Sequence, residues 1–174
     1  MSFTEGSYEK ALIALFENLG YQHQYGPNIE RDYYVPFYEE QLIESLTTIN
    51  YGKPRPAIDE AISKLKDIEI GSLPQRNELF MDYLQHGIEV SFFDGKEQCN
   101  DIIYLIDYND KNIKRNDFKV INQWTFVENS EKRADIILFV NGLPLVVIEL
   151  KSPSREETTV FKLSLGTLKA GISP

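Results

Sequence analysis

Two β-branched apolar runs, residues 134–140 and 145–151, stand on either side of Asn141-Gly142. Asn-Gly between such runs is the strongest short-range signal for a hairpin, because both residues accept the positive φ of a type I′ turn. Both runs are apolar at successive rather than alternate positions, so both faces of this hairpin must be covered. The chain therefore has to build a sheet with material on both sides. Asp135, Glu149 and Lys151 interrupt the apolar text. Asp135 opens the first strand while Glu149 and Lys151 close the second, so all lie at the open end. Glu149 and Lys151 are two apart and share a face.

Register decides whether the carboxylates meet. A strict two-residue turn pairs Asp135 with Ile148 and leaves Glu149 on the opposite face. A bulge shifts the pairing by one and sets Asp135 opposite Glu149. Pro144, just after the turn, has no N–H for the ladder and favours the bulge. The expectation is a bulged tip and converging carboxylates. Such a pair repels unless one group takes a proton or both share a cation. Oxygen donors without Cys or His select Mg²⁺ or Mn²⁺, with the Leu150 carbonyl as a further candidate ligand. An ion held there binds a phosphate oxygen and acidifies a water. Lys151 would orient that water or stabilise charge on the phosphate. The plain alternative is a pair of solvated strand ends.

The remaining chain reads as helices followed by strands. Apolar residues at helical spacing (Ala11, Leu12, Leu15, Phe16, Leu19) predict a helix over 8–19, capped by Ser7 and stopped by Gly20. Further helices are expected over 38–50, 57–68 and 76–86, the last with Leu79, Phe80, Tyr83 and Leu84 inward. Residues 21–36 read as a Tyr-rich connector. Strands are expected over 88–93, 102–106 and 118–127, ahead of the hairpin. The order implies an α+β fold, a mixed central sheet with flanking helices. The expected organisation is one domain over 1–174, with a helical portion to about 87, a β-rich core over 88–151 and a tail over 152–174.

Charge divides unevenly. Net charge is −9, but residues 1–110 hold 8 basic and 20 acidic side chains, and residues 111–174 hold 10 and 7. That excludes a polybasic DNA binder and leaves room for an anionic partner at the C-terminal end. Lys132 and Arg133 stand just before Asp135 and are candidate phosphate contacts; Lys114 and Arg115, in a cluster with Lys111 and Lys119, are others. For that cluster, a solvated loop is the competing reading. The single cysteine, Cys99, excludes a disulfide framework and a thiolate zinc site. No apolar run reaches a membrane-spanning length of about 18 residues, and the first residues lack a leader pattern. A cytoplasmic protein with no membrane role is the expectation.

Asp135 followed by Glu149-Leu150-Lys151 resembles the catalytic motif of the PD-(D/E)xK nuclease superfamily. The fifteen residues from Ile137 to Lys151 are similar to the N-terminal nuclease domain of the type I restriction endonuclease R subunit. Residues 103–107 and 116–124 fit the same family. The resemblance implies a restriction-endonuclease-like core and Mg²⁺-dependent cleavage of double-stranded DNA. Asp135 and Glu149 would be metal ligands, Lys151 the catalytic lysine, and Glu9 the match to a glutamate on the family's N-terminal helix. For Glu9 the competing reading is a solvated helix face. Implied partners are motor domains of the same subunit and methyltransferase and specificity subunits.

Two departures stand out. No Gly-x-x-x-x-Gly-Lys-Ser/Thr occurs, so ATP is expected only through motor domains outside this chain. The family's Gln-x-x-x-Tyr after the lysine is absent, since Thr158 to Pro174 contains neither residue. The second departure bears on DNA positioning and on cleavage by this chain alone. It keeps two other readings open, a catalytically silent docking module and a stand-alone nuclease of the superfamily.

Overall fold

The computed structural model describes residues 5–68, 72–127, 130–150 and 164–165. In chain order the elements are α1 (Glu5–Asn18), β1 (Gln22–Tyr25), α2 (Glu39–Ile49), α3 (Arg55–Lys66), α4 (Leu73–His86), β2 (Ile88–Phe93), β3 (Gln98–Ile103), β4 (Phe118–Val127), β5 (Glu131–Val140), β6 (Leu143–Ile148) and β7 (Ser164–Leu165). The fold is α+β, as the order of patterns predicts. The chain forms two compact units, one of residues 1–37 with 118–174 and the other of 38–117.

The first unit holds a five-stranded mixed sheet in the order β1-β4-β5-β6-β7. β1 runs parallel to β4, and the other neighbours are antiparallel. One face packs on α1, where Ile13 joins Val120, Ile136, Leu138 and Ile148, with Leu12 and Phe16 partly buried beside them. The buried stripe of α1 is thus Leu12-Ile13-Phe16. Leu15 and Leu19, which share the apolar helical spacing, are 51% and 66% exposed. Ser7 lies inside α1 rather than capping it, since the helix already includes Glu5. On the sheet itself the Trp124 and Phe139 rings meet at 4.7 Å, both fully buried.

The expected connector over 21–36 contains β1, which the Tyr-rich pattern hid. Beyond β1 this segment runs beside β4. Val127 N–H donates to the Tyr33 carbonyl at 2.9 Å, and Arg31 donates to the Thr125 carbonyl. The Arg31 guanidinium stacks on Trp124 at 3.5 Å and on Tyr33 at 4.8 Å, a cation–π arrangement. Burial pulls the Arg31 pKa down to about 10.

The second unit packs α3 against the β2–β3 hairpin, with α2 and α3 contributing Leu42, Leu46, Ile58 and Leu65 to its core. β2 shows the expected alternation of buried and exposed residues. β3 is displaced toward the N-terminus from the expected 102–106, because its half-exposed pattern carries little apolar signal. Leu79 of α4, expected inward, is 39% exposed. Buried Asn50 donates to the Leu46 and Tyr104 carbonyls and accepts from Tyr104 N–H, fixing the chain after β3. No helix among the described residues is long and apolar enough to cross a membrane.

Candidate active site at the hairpin's open end

The turn has two residues, Asn141 at φ 55° and Gly142 at φ 78°, the signs a type I′ turn requires. Val140 pairs with Leu143 and Phe139 with Pro144, yet Leu138 pairs with Val146. Leu145 is therefore an extra residue on β6. The expected bulge exists, but it lies one step beyond Pro144 rather than in the turn. A proline with no N–H ends the tight pairing, and the strand takes up its slack at the next residue.

The shift has the expected consequence for register. Ile136 pairs with Ile148, so the next pair out sets Asp135 opposite Glu149, on one face. Leu150 N–H donates to Asp135 Oδ2 at 2.6 Å, tying the carboxylate to the far strand. Burial, and then the neighbouring Asp135 charge, raise the Glu149 carboxyl above its usual pKa. Two acidic groups are thus held close in a partly buried place.

Glu9 is reached from the opposite direction. It sits on α1, and its Oε1 accepts from Asn122 Nδ2 while its Oε2 accepts from Gln123 Nε2 at 3.0 Å. Asn122 in turn accepts from His23 Nε2 at 2.9 Å. Glu9 is not a solvated helix-face residue; it is clamped to β4. Gln123 has φ 57°, a left-handed backbone uncommon outside glycine. The ladder pairs Asn122 with Ile136 and Trp124 with Ala134 but skips the position between. That skipped position is Gln123 opposite Asp135.

Other candidates fall apart from this row. Arg133 is exposed and lies two residues before Asp135 on β5, which puts the two on one face. Lys132, partly buried, alternates to the other face. Lys114 and Arg115 are exposed in a 3₁₀ turn, Ile113–Arg115, of the second unit. Lys119 is 4% exposed and so leaves the solvated basic cluster. Lys151 and the tail around the absent Gln-x-x-x-Tyr lie outside the described residues.

Among the described residues no three His, Cys, Asp or Glu side chains converge as a metal cage. The donors at the hairpin's open end are the Asp135 and Glu149 carboxylates. That set suits Mg²⁺, which keeps several waters and takes one or two carboxylates plus substrate phosphate.

Residues 2–163 match the family described as type I restriction enzyme R protein N terminus. The chain belongs to this family. It is 30% identical over 168 residues to the type I restriction enzyme HindI endonuclease subunit of Haemophilus influenzae, covering 91% of this chain and 16% of that protein. It is 28% identical over 160 residues to the putative MjaIXP endonuclease subunit of Methanocaldococcus jannaschii, covering 86% and 15%. With the EcoprrI endonuclease subunit of Escherichia coli it shares 31% over 150 residues, covering 85% and 44%. The chain thus spans between about a seventh and under half of these relatives' length. Within this R-protein N-terminal chain, Asp135 and Glu149 were offered by their place at the open end of an Asn-Gly hairpin. The partnership of Asn122 and Gln123 with Glu9 had no such signal, because neither amide belongs to a periodic pattern or a charged motif.

Proposed function

We propose that this chain is the DNA endonuclease part of a type I restriction enzyme R subunit, of the PD-(D/E)xK kind. It hydrolyses phosphodiesters of double-stranded DNA with Mg²⁺ or Mn²⁺. The observation that carries this reading is the bulge at Leu145, which puts Ile136 opposite Ile148 and so favours Asp135 next to Glu149, whose carboxyl feels the Asp135 charge. Without a cation, that arrangement is a liability: the pair repels and Glu149 holds its proton more tightly. Such a liability is retained where it does work.

In this reading Asp135 and Glu149 hold the cation, with the Leu150 carbonyl as a further ligand. The bound ion would supply a Lewis acid for the phosphate and lower the pKa of a water. Leu150 N–H orients Asp135 by occupying one of its oxygens. Lys151 stabilises negative charge developing on the phosphate. Arg133, exposed on the strand that carries Asp135, contacts a neighbouring backbone phosphate; Lys132, Lys114 and Arg115 are further candidate phosphate contacts. Motor, methyltransferase and specificity components would hold the DNA, since a chain of net charge −9 binds it weakly and salt-sensitively on its own. ATP would act only through those motor domains.

The test is Mg²⁺-dependent nicking of supercoiled plasmid by the purified chain. Lys151→Ala is expected to lower the rate by about 10²–10³-fold, the loss typical of removing one charge-stabilising donor. Asp135→Asn is expected to abolish both nicking and Mn²⁺ binding. Undiminished nicking by either variant overturns the assignment. Absence of divalent-ion binding points instead to the catalytically silent docking module.

A further inference from the structure

The one left-handed residue of β4 lies opposite Asp135, the acidic residue proposed to hold a cation. Strict alternation after Asn122 would turn Gln123 away from α1 and Trp124 toward it. The structure has the reverse: Gln123 Nε2 reaches Glu9 on α1, and the Trp124 ring meets Phe139, the neighbour in sequence of Leu138 in the α1-facing cluster. The positive φ at Gln123 resets the pleat, and the β4–β5 ladder loses its pair there. Asp135 is left untied on the β4 side and is held from the β6 side by Leu150 N–H.

Two features hold this kink. Both Glu9 oxygens accept amide N–H groups, one from Asn122 and one from Gln123. From the other direction Gly26 presses against it, where a Cβ would lie 2.8 Å from the carbonyl oxygens of both Asn122 and Gln123. A left-handed glutamine in a strand persists only where its surroundings over-determine it. The family resemblance implies Glu9 as a member of the catalytic set, but its carboxylate is already engaged on both oxygens.

We propose that Glu9 is a positioning residue: it holds Gln123 in the left-handed conformation, and the gap so made in the ladder lets Asp135 turn to Glu149. This rests on the hairpin reading above and adds to it a device on β4. Glu9 acts through Gln123, and not as a ligand.

The distinction is testable by a double-mutant cycle on Mn²⁺ affinity, measured by calorimetry on the whole chain, with melting temperatures recorded for each variant. Gln123→Gly supplies the second background, because glycine adopts a positive φ without a clamp. In the wild-type background Glu9→Ala is expected to weaken Mn²⁺ binding by about 10–100-fold, as loss of supporting residues does. In the Gln123→Gly background the same substitution is expected to bring no further loss. Where Glu9→Ala does not fold, Glu9→Gln replaces it, offering one acceptor oxygen to two amide donors. An equal loss in both backgrounds makes Glu9 a ligand and overturns the proposal, as does no loss in either. Asp135→Asn separates the two levels. If it leaves Mn²⁺ affinity unchanged, the hairpin reading itself fails; if it abolishes binding while the cycle shows no coupling, only the positioning role fails.

Discussion

The two compact units treat irregularity in opposite ways. In the second unit the β2–β3 ladder runs through six consecutive pairs without a shift. Its buried Asn50 and Asn116 spend their amides on backbone partners. Its charges pair at the surface, Lys53 with Asp101 at 2.6 Å and Arg55 with Asp59 at 2.7 Å. The first unit breaks its ladders twice, at Leu145 and at Gln123. It also holds both non-glycine residues with positive φ found among the described residues, Gln123 and Asn141, and the repelling pair Asp135 and Glu149. The hairpin of the second unit keeps its register throughout, and the first unit departs from regular pairing on the two adjacent ladders of β5. Departures that cluster in this way mark where a sequence serves something besides stability.

The sharpest way to break that contrast is to repair the irregular strand. Pro144→Val supplies the missing N–H at the bulge and lets strict two-residue-turn pairing, with Leu145 opposite Leu138, run from tip to open end. Asp135 then faces Ile148, and Glu149 moves to the other face. The expected outcome is loss of Mn²⁺ binding and of plasmid nicking in a chain whose circular dichroism still shows a folded α+β protein. Retention of either activity would mean that the bulge does not set the site.

Much of this row was legible in advance, and the reason is local chemistry. Asn141-Gly142 specifies its turn by backbone sterics alone, and Pro144 announces a ladder defect by lacking an N–H. Those residues, with the long apolar strands, were enough to bring Asp135 and Glu149 together. β4 was bounded correctly because Phe118, Val120, Ile121, Trp124, Phe126 and Val127 make it dense in β-branched and aromatic residues. β1 was missed because an edge strand with the exposed pattern of Gln22–Tyr25 shows no alternation. Leu79 misled, and Leu15 and Leu19 share the apolar spacing without burial, because helical periodicity reports a possible buried stripe without saying how wide the covering is. The kink at Gln123 was not legible at all: glutamine has no intrinsic preference for positive φ, and Glu9, more than a hundred residues away, selects it.

Stability measurements sharpen the contrast with smaller effects. Asn50→Ala in the second unit leaves the Tyr104 N–H and carbonyl without their side-chain partner. It is expected to cost about 1–3 kcal/mol of unfolding free energy, measurable by urea titration without divalent ions. Asp135→Asn in the first unit should go the other way in metal-free buffer. The amide oxygen still accepts the Leu150 N–H, while the repulsion with Glu149 disappears. Because Glu149 is partly solvated, screening limits the gain to below about 1 kcal/mol. A loss of stability in this variant would mean that the carboxylate pair supports the fold, and the contrast between the units would weaken.

The smallest expected effect belongs to the surface pair of the second unit, and its pH dependence has a definite sign. The hydrogen bond from Lys53, and then the Ile102 backbone N–H, hold the Asp101 carboxyl below its usual range. A carboxyl whose folded pKa is depressed contributes stability above its unfolded pKa and loses it as pH falls through the folded one. Lys53→Ala should therefore cost toward the low end of about 0.2–1 kcal/mol at neutral pH, since both side chains are about a third exposed. That difference should shrink as pH falls below the ordinary aspartate range and through the depressed folded pKa of Asp101. Urea midpoints of the two proteins at neutral and acid pH read this directly. A difference persisting in acid would assign the lysine's contribution to packing of its methylene stem rather than to its charge.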